Sequence, residues 1–254
     1  NGVEVVVNCA GLVRGSAMEA VHTHGTEKLL KAANAAGVRR LVHVSALGAS
    51  ASGETHFQRT KGAGEEVLRA HPVGTLPEIC VLRPSIIVGR GGASTAMFAA
   101  LAALPIRPVI AAGAMQPIHI CDVAELVVRL VENSDQLPRF LDVTGAEPLD
   151  INAVVNMFGC WLRLSSCPRM SMPGALLTGI AVFGGFFASG PLNRETLFML
   201  RRGNTANPAA VTQILGRPPL PLAEALGRTP ASVADRQSAR LYFLQPLLRI
   251  SLAL

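Results

Sequence analysis

Ser45 closes the apolar run RRLVHVSAL, and Phe57 and Lys61 follow in FQRTKGAGEEVL, four residues apart and so one helical turn apart. A strand ending in Ser, then an aromatic ring and a lysine on one helical face, is the layout of a Ser–Tyr–Lys hydride-transfer site. Here the ring is Phe, which packs as Tyr does but has no hydroxyl to donate. General acid–base catalysis contributes about 10² to 10⁴-fold, so conventional carbonyl reduction is expected to fall by at least that much. Thr55 and His56 are the nearest groups that could take over. On a helix start each points about 100° or more away from residue 57, so rescue needs a local shift.

The elements that must hold these residues alternate along the chain. VEVVVNCAG (Val3 to Gly11) is a β-branched run ending in small residues, as in a buried parallel strand. TEKLLKAANAAG reads as a helix with Thr26 as N-cap and Gly37 as its stop. The strand VRRLVHVSA, a helix from Thr60 to Ala70 and the strand EICVLRPSIIVG come next. QPIHICDVAELVVRLVEN reads as a short strand entering a helix with Asp122 near its start, and Asp150 caps a helix after RFLDVTGAEPL. Strands alternating with helices of this length predict an α/β fold, a Rossmann-like parallel sheet with crossover helices.

Of 254 residues half are apolar and 16% charged, and the balance of +6 is almost wholly Arg, Lys occurring only at 28, 31 and 61. From Gly190 to Leu254 eight Arg face Glu195, Glu224 and Asp235. An arginine-rich stretch running into an apolar end fits the cytoplasmic face of a membrane. The absence of a nucleic-acid motif and the 4% of aromatics argue against nucleic acid. Gly174 to Gly190 carries no charge over 17 residues, short of the roughly 20 that span a bilayer, and is expected to be buried or interfacial. Cysteines 9, 80, 121, 160 and 167 form no CxxC pair and read as buried reduced thiols. His22 and His24 invite a metal, but no third ligand stands in register, so no metal is expected.

The ordered set VVVNCAG, HGTEKLLKAANAAGVRRLVHVSALGA, FQRTKGAGEEVLR, VLRPSIIVGRG, QPIHICDVAE and FLDVTGAEPL resembles the atypical, extended short-chain dehydrogenase/reductases, in the branch of the complex I 39-kDa-subunit-like proteins. The later NRETLFMLRRGNTANPAAVTQILGRPPLPLAEAL resembles bacterial members that continue into a DoxX-like membrane domain. The resemblance implies NAD or NADP as cofactor, and a chain truncated at both ends. No GxGxxG or GxxGxxG opens the sequence, nor does the residue that separates NAD from NADP, and without its first strands the fragment is expected to be unstable alone.

The resemblance also assigns roles. Asn8, Ala10 and Gly11 lie beside the adenosine half of the cofactor; the alternative is a plain strand-to-helix turn. Ser45 bonds the substrate carbonyl, or merely ends a strand. Lys61 binds the nicotinamide ribose, or is a solvated helix lysine. Pro84, Ser85 and Ile86 flank the nicotinamide carboxamide, or form a strand end stiffened by proline. His119 reads as a satisfied core or groove histidine and Asp122 as a cap. His22 stands where relatives often carry Asn.

The organisation expected is a partial NAD(P)-binding domain over 1–150, with an excursion at 90–117. A smaller, mostly helical substrate domain follows over 151–235, and the start of an apolar, membrane-associated tail over 236–254. Two functions compete: an oxidoreductase acting on a quinone- or lipid-like substrate at the cytoplasmic face of a membrane, and a redox-inactive NAD(P)H-binding sensor or structural subunit. A sugar-nucleotide epimerase or dehydratase is weaker, since those reactions need the Tyr.

Overall fold

A computed structural model describes residues 2–132, 137–165, 167–171 and 202–243. The chain divides into two compact units, one of Asn1–Ser85, Cys121–Thr144 and Ala206–Pro219, the other of Ile86–Ile120, Gly145–Thr205 and Leu220–Leu254.

The first unit is built on a four-stranded parallel sheet of β1 (Val5–Asn8), β2 (Arg40–Val44), β3 (Glu78–Pro84) and β7 (Phe140–Val143), in that spatial order. Val7 pairs with Val42, Val42 with Cys80, and Leu82 with Leu141. Parallel neighbours need crossovers. Helices α1 (Gly25–Ala35) and α2 (His56–Arg69) provide the first two, and α4 (Ile120–Glu132) leads into β7. Leu41, Ile79 and Val81 of the sheet meet Leu68 of α2, with Val6, Leu29, Leu30 and Phe140 around them. This confirms the predicted Rossmann-like α/β class.

Two helix starts differ from their expected places. Thr26 is not an N-cap: a π turn over Ala20–His24 runs directly into α1, and the Thr26 hydroxyl donates to the His22 carbonyl at 2.7 Å. Helix α2 begins at His56 rather than Thr60, because Thr55 and Gln58 close a reciprocal capping box. Asp150 caps α5 (Ile151–Trp161) as expected, accepting from the Asn152 N–H at 2.7 Å.

Three of the buried charges are paired with opposite charge. Glu65 of α2, 1% exposed, holds Arg83 of β3. Arg40, 1% exposed, donates to Glu78 and to the Leu130 carbonyl. Asp122, expected as a cap, is the third residue of α4 and fully buried; Arg217, just beyond α6 (Ala209–Leu215), reaches it at 2.7 Å and Glu125 at 2.5 Å.

In the second unit, β4 (Ile87–Val88) pairs with β6 (Ile118–His119), and β5 (Arg107–Val109) with β8 (Arg169–Ser171). Its core lies among α3 (Ala93–Ala102), α5, α7 (Leu222–Arg228) and α8 (Val233–Leu241), where Phe98 and Phe158 meet at 5.6 Å. His119 is buried at 4% exposure. The uncharged Gly174 to Gly190 segment and the end of the apolar tail lie outside the described residues. Among the described residues no helix is long and apolar enough to cross a membrane. The expectation of buried thiols fails for most cysteines: Cys80 is buried in β3, but Cys9, Cys121 and Cys160 are exposed and Cys167 half-buried, all unbridged. Cys9 lies past the end of β1, where the sheet no longer covers it, and an apolar neighbourhood in sequence did not place the other thiols inward.

Candidate functional site at the strand ends of the first unit

Parallel sheets leave their carboxyl ends open, and ligands of such folds bind there. At the end of β1 the Asn8 side chain organises the turn. Its Oδ1 accepts the Ala10 N–H at 3.0 Å, and its Nδ2 donates to His43 Nδ1 of β2 at 3.0 Å. Asn8 is half-buried, while Ala10 and Gly11 are exposed. Gly11 lies against Lys61: a Cβ there would stand 3.1 Å from the Lys61 Nζ.

Lys61 projects from α2 to the end of β2, where Nζ donates to the Val44 carbonyl at 2.9 Å. The lysine is 5% exposed. Burial pulls its pKa down to about 8, although Glu65 and Cys9 favour the ammonium. Ser45 follows Val44 and is 4% exposed; among the described residues its hydroxyl has no partner. Pro84 and Ser85 end the adjoining strand, tied in by Leu47 N–H to the Pro84 carbonyl (2.8 Å) and Ser85 N–H to the Val143 carbonyl (2.9 Å). Ile86 opens the second unit, its carbonyl accepting the Ile118 N–H at 3.0 Å.

Phe57, half-buried, sets its ring edge-on to His22 with centroids 5.8 Å apart. His22 links three elements. Its Nε2 accepts the Leu12 N–H at 2.9 Å, which places the proton on Nδ1, and Nδ1 donates to Thr60 Oγ1 at 2.9 Å. The Thr60 hydroxyl then donates to the carbonyls of His56 and Phe57 at 3.1 and 3.2 Å. Gly64 permits this packing, since a Cβ there would stand 2.2 Å from the His22 carbonyl oxygen. With both ring nitrogens engaged, His22 is a strut between the loop after β1 and α2.

Burial, then the Lys61 charge, lower the His22 pKa to about 4 and the His43 pKa to about 3. Both imidazoles are neutral in the fold, whereas in the unfolded chain they charge below about pH 6.5. The unfolded state therefore binds more protons below that pH. Stability should fall as pH drops from about 6.5 toward 4, and His43→Gln should flatten the fall in urea titrations taken across that window.

Thus Asn8, Ala10, Gly11, Ser45, Phe57, Lys61, Pro84 and Ser85 gather at the strand ends of one unit. Thr60 and His43 were missed from sequence. His43 lies two residues before Ser45, on the same face of the strand, a period-two signal that points to it. Among the described residues no cluster of His, Cys, Asp and Glu could hold a metal ion.

No family model matches the chain. Among curated proteins, it is 29% identical over 147 residues to the mitochondrial NADH dehydrogenase [ubiquinone] 1 alpha subcomplex subunit 9 of Mus musculus, over 56% of this chain and 38% of that protein. It is 32% identical over 132 residues to the ceramide reductase of Caulobacter vibrioides, over 50% of this chain and 40% of that protein. These matches span less than half the length of either relative. Among solved structures, the NAD-dependent NDP-hexosamine 5,6-dehydratase of tunicamycin biosynthesis superposes with a TM-score of 0.66 at 16% identity, covering 92% of this chain and 79% of that one. The dTDP-glucose 4,6-dehydratase of Streptomyces venezuelae, solved with NAD and TYD bound, gives 0.66 at 17% identity, covering 95% and 75%. Such identities establish the fold.

Proposed function

We propose that this relative of the atypical short-chain dehydrogenase/reductases binds a nicotinamide dinucleotide, NAD or NADP, at the strand ends of its first unit and acts as an oxidoreductase on an apolar carbonyl or quinone-like acceptor. The observation that carries the reading is the cluster at Lys61. A buried ammonium with one acceptor among the described residues stands beside a buried Ser45 hydroxyl with none, under a glycine that leaves backbone exposed. Buried polar groups are ordinarily satisfied. A diol such as the ribose of the dinucleotide, and a substrate carbonyl, supply the oxygens these donors lack, so the residues present fit the group.

Each residue then has a task. Lys61 holds ribose hydroxyls, Ser45 orients the acceptor oxygen, and the Asn8 turn brings backbone to the adenosine half. Pro84 and Ser85, at the end of β3, would border the nicotinamide carboxamide. The bound dinucleotide supplies the hydride. A quinone suits a site without a phenol, because its reduced oxygen is far less basic than an alkoxide. The uncharged Gly174 to Gly190 segment and the arginine-rich C-terminal stretch support placing the full protein at the cytoplasmic face of a membrane.

Phe57 favours a second reading, a redox-inactive holder of NAD(P)H serving as sensor or structural subunit. Titration with NADH and NADPH, followed by assays with aldehydes and quinones, separates the two. The oxidoreductase reading expects dinucleotide oxidation with at least one acceptor class, and Phe57→Tyr should raise aldehyde turnover at least about 10²-fold. Binding without turnover in the wild type, with turnover gained only in Phe57→Tyr, favours the inactive holder.

A further inference from the structure

Carbonyl reduction at this site needs a proton that Phe57 cannot give, and most of the surrounding donors are committed. The His22 Nδ1 proton is held by Thr60, and its Nε2 is an acceptor. The Thr60 hydroxyl is turned to the carbonyls of His56 and Phe57. Thr55 is engaged with Gln58 in the capping box, its hydroxyl and Gln58 Oε1 3.1 Å apart. Asn8 spends its amide on His43 and Ala10. Lys61 differs. Its ammonium carries three N–H groups, and among the described residues only the Val44 carbonyl takes one. Ser45, the next residue along that strand end, leaves its buried hydroxyl unpartnered.

We propose that Lys61, in place of the missing phenol, donates the proton to the reacting oxygen of a carbonyl substrate held by Ser45; this rests on the dinucleotide reading above. The carbonyl carbon takes a hydride from the reduced nicotinamide, and the C=O π pair moves onto oxygen. That oxygen takes a proton from Lys61 Nζ. An alcohol, a neutral lysine and the oxidised dinucleotide result, and water reprotonates the amine before the next turnover. The surroundings suit the task. Burial brings the Lys61 pKa to about 8, which leaves it protonated at pH 7 yet a much stronger acid than a solvated lysine. The groups coupled to it are Glu65 on its own helix, Cys9 after β1, and the neutral His22 and His43.

The test joins a measurement without cofactor to kinetics. In the ligand-free wild type, NMR titration of Lys61 should give a midpoint near pH 8. Aldehyde reduction should decline above the same pH. Lys61→Arg keeps the charge but cannot release its proton; it should bind dinucleotide within a few-fold of wild type and lose turnover by at least about 100-fold. His56→Gln should retain turnover. The proposal is overturned if Lys61 titrates like a solvated lysine, if Lys61→Arg stays active, or if His56→Gln removes activity instead. Dinucleotide binding with no aldehyde reduction at any pH overturns it too while sparing the binding reading, whereas no binding at all removes both. The NMR titration uses the wild type, so it stands even where a variant fails to fold.

Discussion

Replacing Lys61 by Met should make the ligand-free protein more stable while removing its grip on the dinucleotide. A lysine pKa lowered from 10.5 to about 8 corresponds to about 3 kcal/mol of cost in burying the ammonium at neutral pH. Methionine fills similar volume without charge. Its one loss is the hydrogen bond to the Val44 carbonyl, about 1 kcal/mol. The net gain is about 2 kcal/mol. The pH dependence supplies the sign. Below about pH 8 the lysine is charged in both folded and unfolded states and the full cost is present; the cost is recovered as pH rises from about 8 toward 10.5. Wild-type stability should therefore climb through that window and Lys61→Met should not, as urea titrations at pH 7 and pH 10 would reveal. Equal stability at pH 7 would mean that the ammonium is not desolvated.

Gly64→Ala should be a strongly damaging single-methyl change at the site. The added carbon would stand 2.2 Å from the His22 carbonyl oxygen, which also accepts the Thr26 hydroxyl. That oxygen belongs to the π turn and cannot retreat without dragging His22 from Leu12 and Thr60. Overpacking costs about 1–3 kcal/mol, more where backbone opposes backbone, so a loss of about 3 kcal/mol or more is expected. Dinucleotide affinity should fall in whatever fraction stays folded, because Leu12 belongs to the loop carrying Gly11. Gly227→Ala is the control: it sits in α7 with no atom within 4 Å of the new carbon, and should stabilise by about 0.5–1 kcal/mol. Urea midpoints of the two variants in opposite directions are the expected result.

The local patterns of the chain were legible in its sequence; its long-range pairings were not. Buried parallel strands announce themselves as β-branched runs, so VVVN, RLVHV and EICVLRP were legible, and with them the sheet. The four-residue spacing of Phe57 and Lys61 placed both on one helical face, and α2 carries them so. Period-3.6 reasoning could not foresee the π turn at Ala20–His24, because a π turn changes the period itself. Thr26 was therefore misread as a cap, and His22 was weighed as a metal ligand rather than as the strut it is. The pairings of Glu65 with Arg83 and of Asp122 with Arg217 join residues 18 and 95 positions apart, which no local pattern encodes. The outward-facing cysteines had no such signal either: apolar neighbours in sequence say little about which way a thiol at an element's end points.

Binding of a nicotinamide dinucleotide should depend on the Lys61, Ser45 and Gly11 cluster. Calorimetric titration of the full-length protein with NADH and NADPH, for wild type and Lys61→Met side by side, tests it most directly. Saturable one-site binding to the wild type, weakened at least about tenfold in a Lys61→Met protein that is no less stable, is the predicted result. No heat with either dinucleotide, or the same affinity with and without Lys61, would show that this cluster does not hold the dinucleotide.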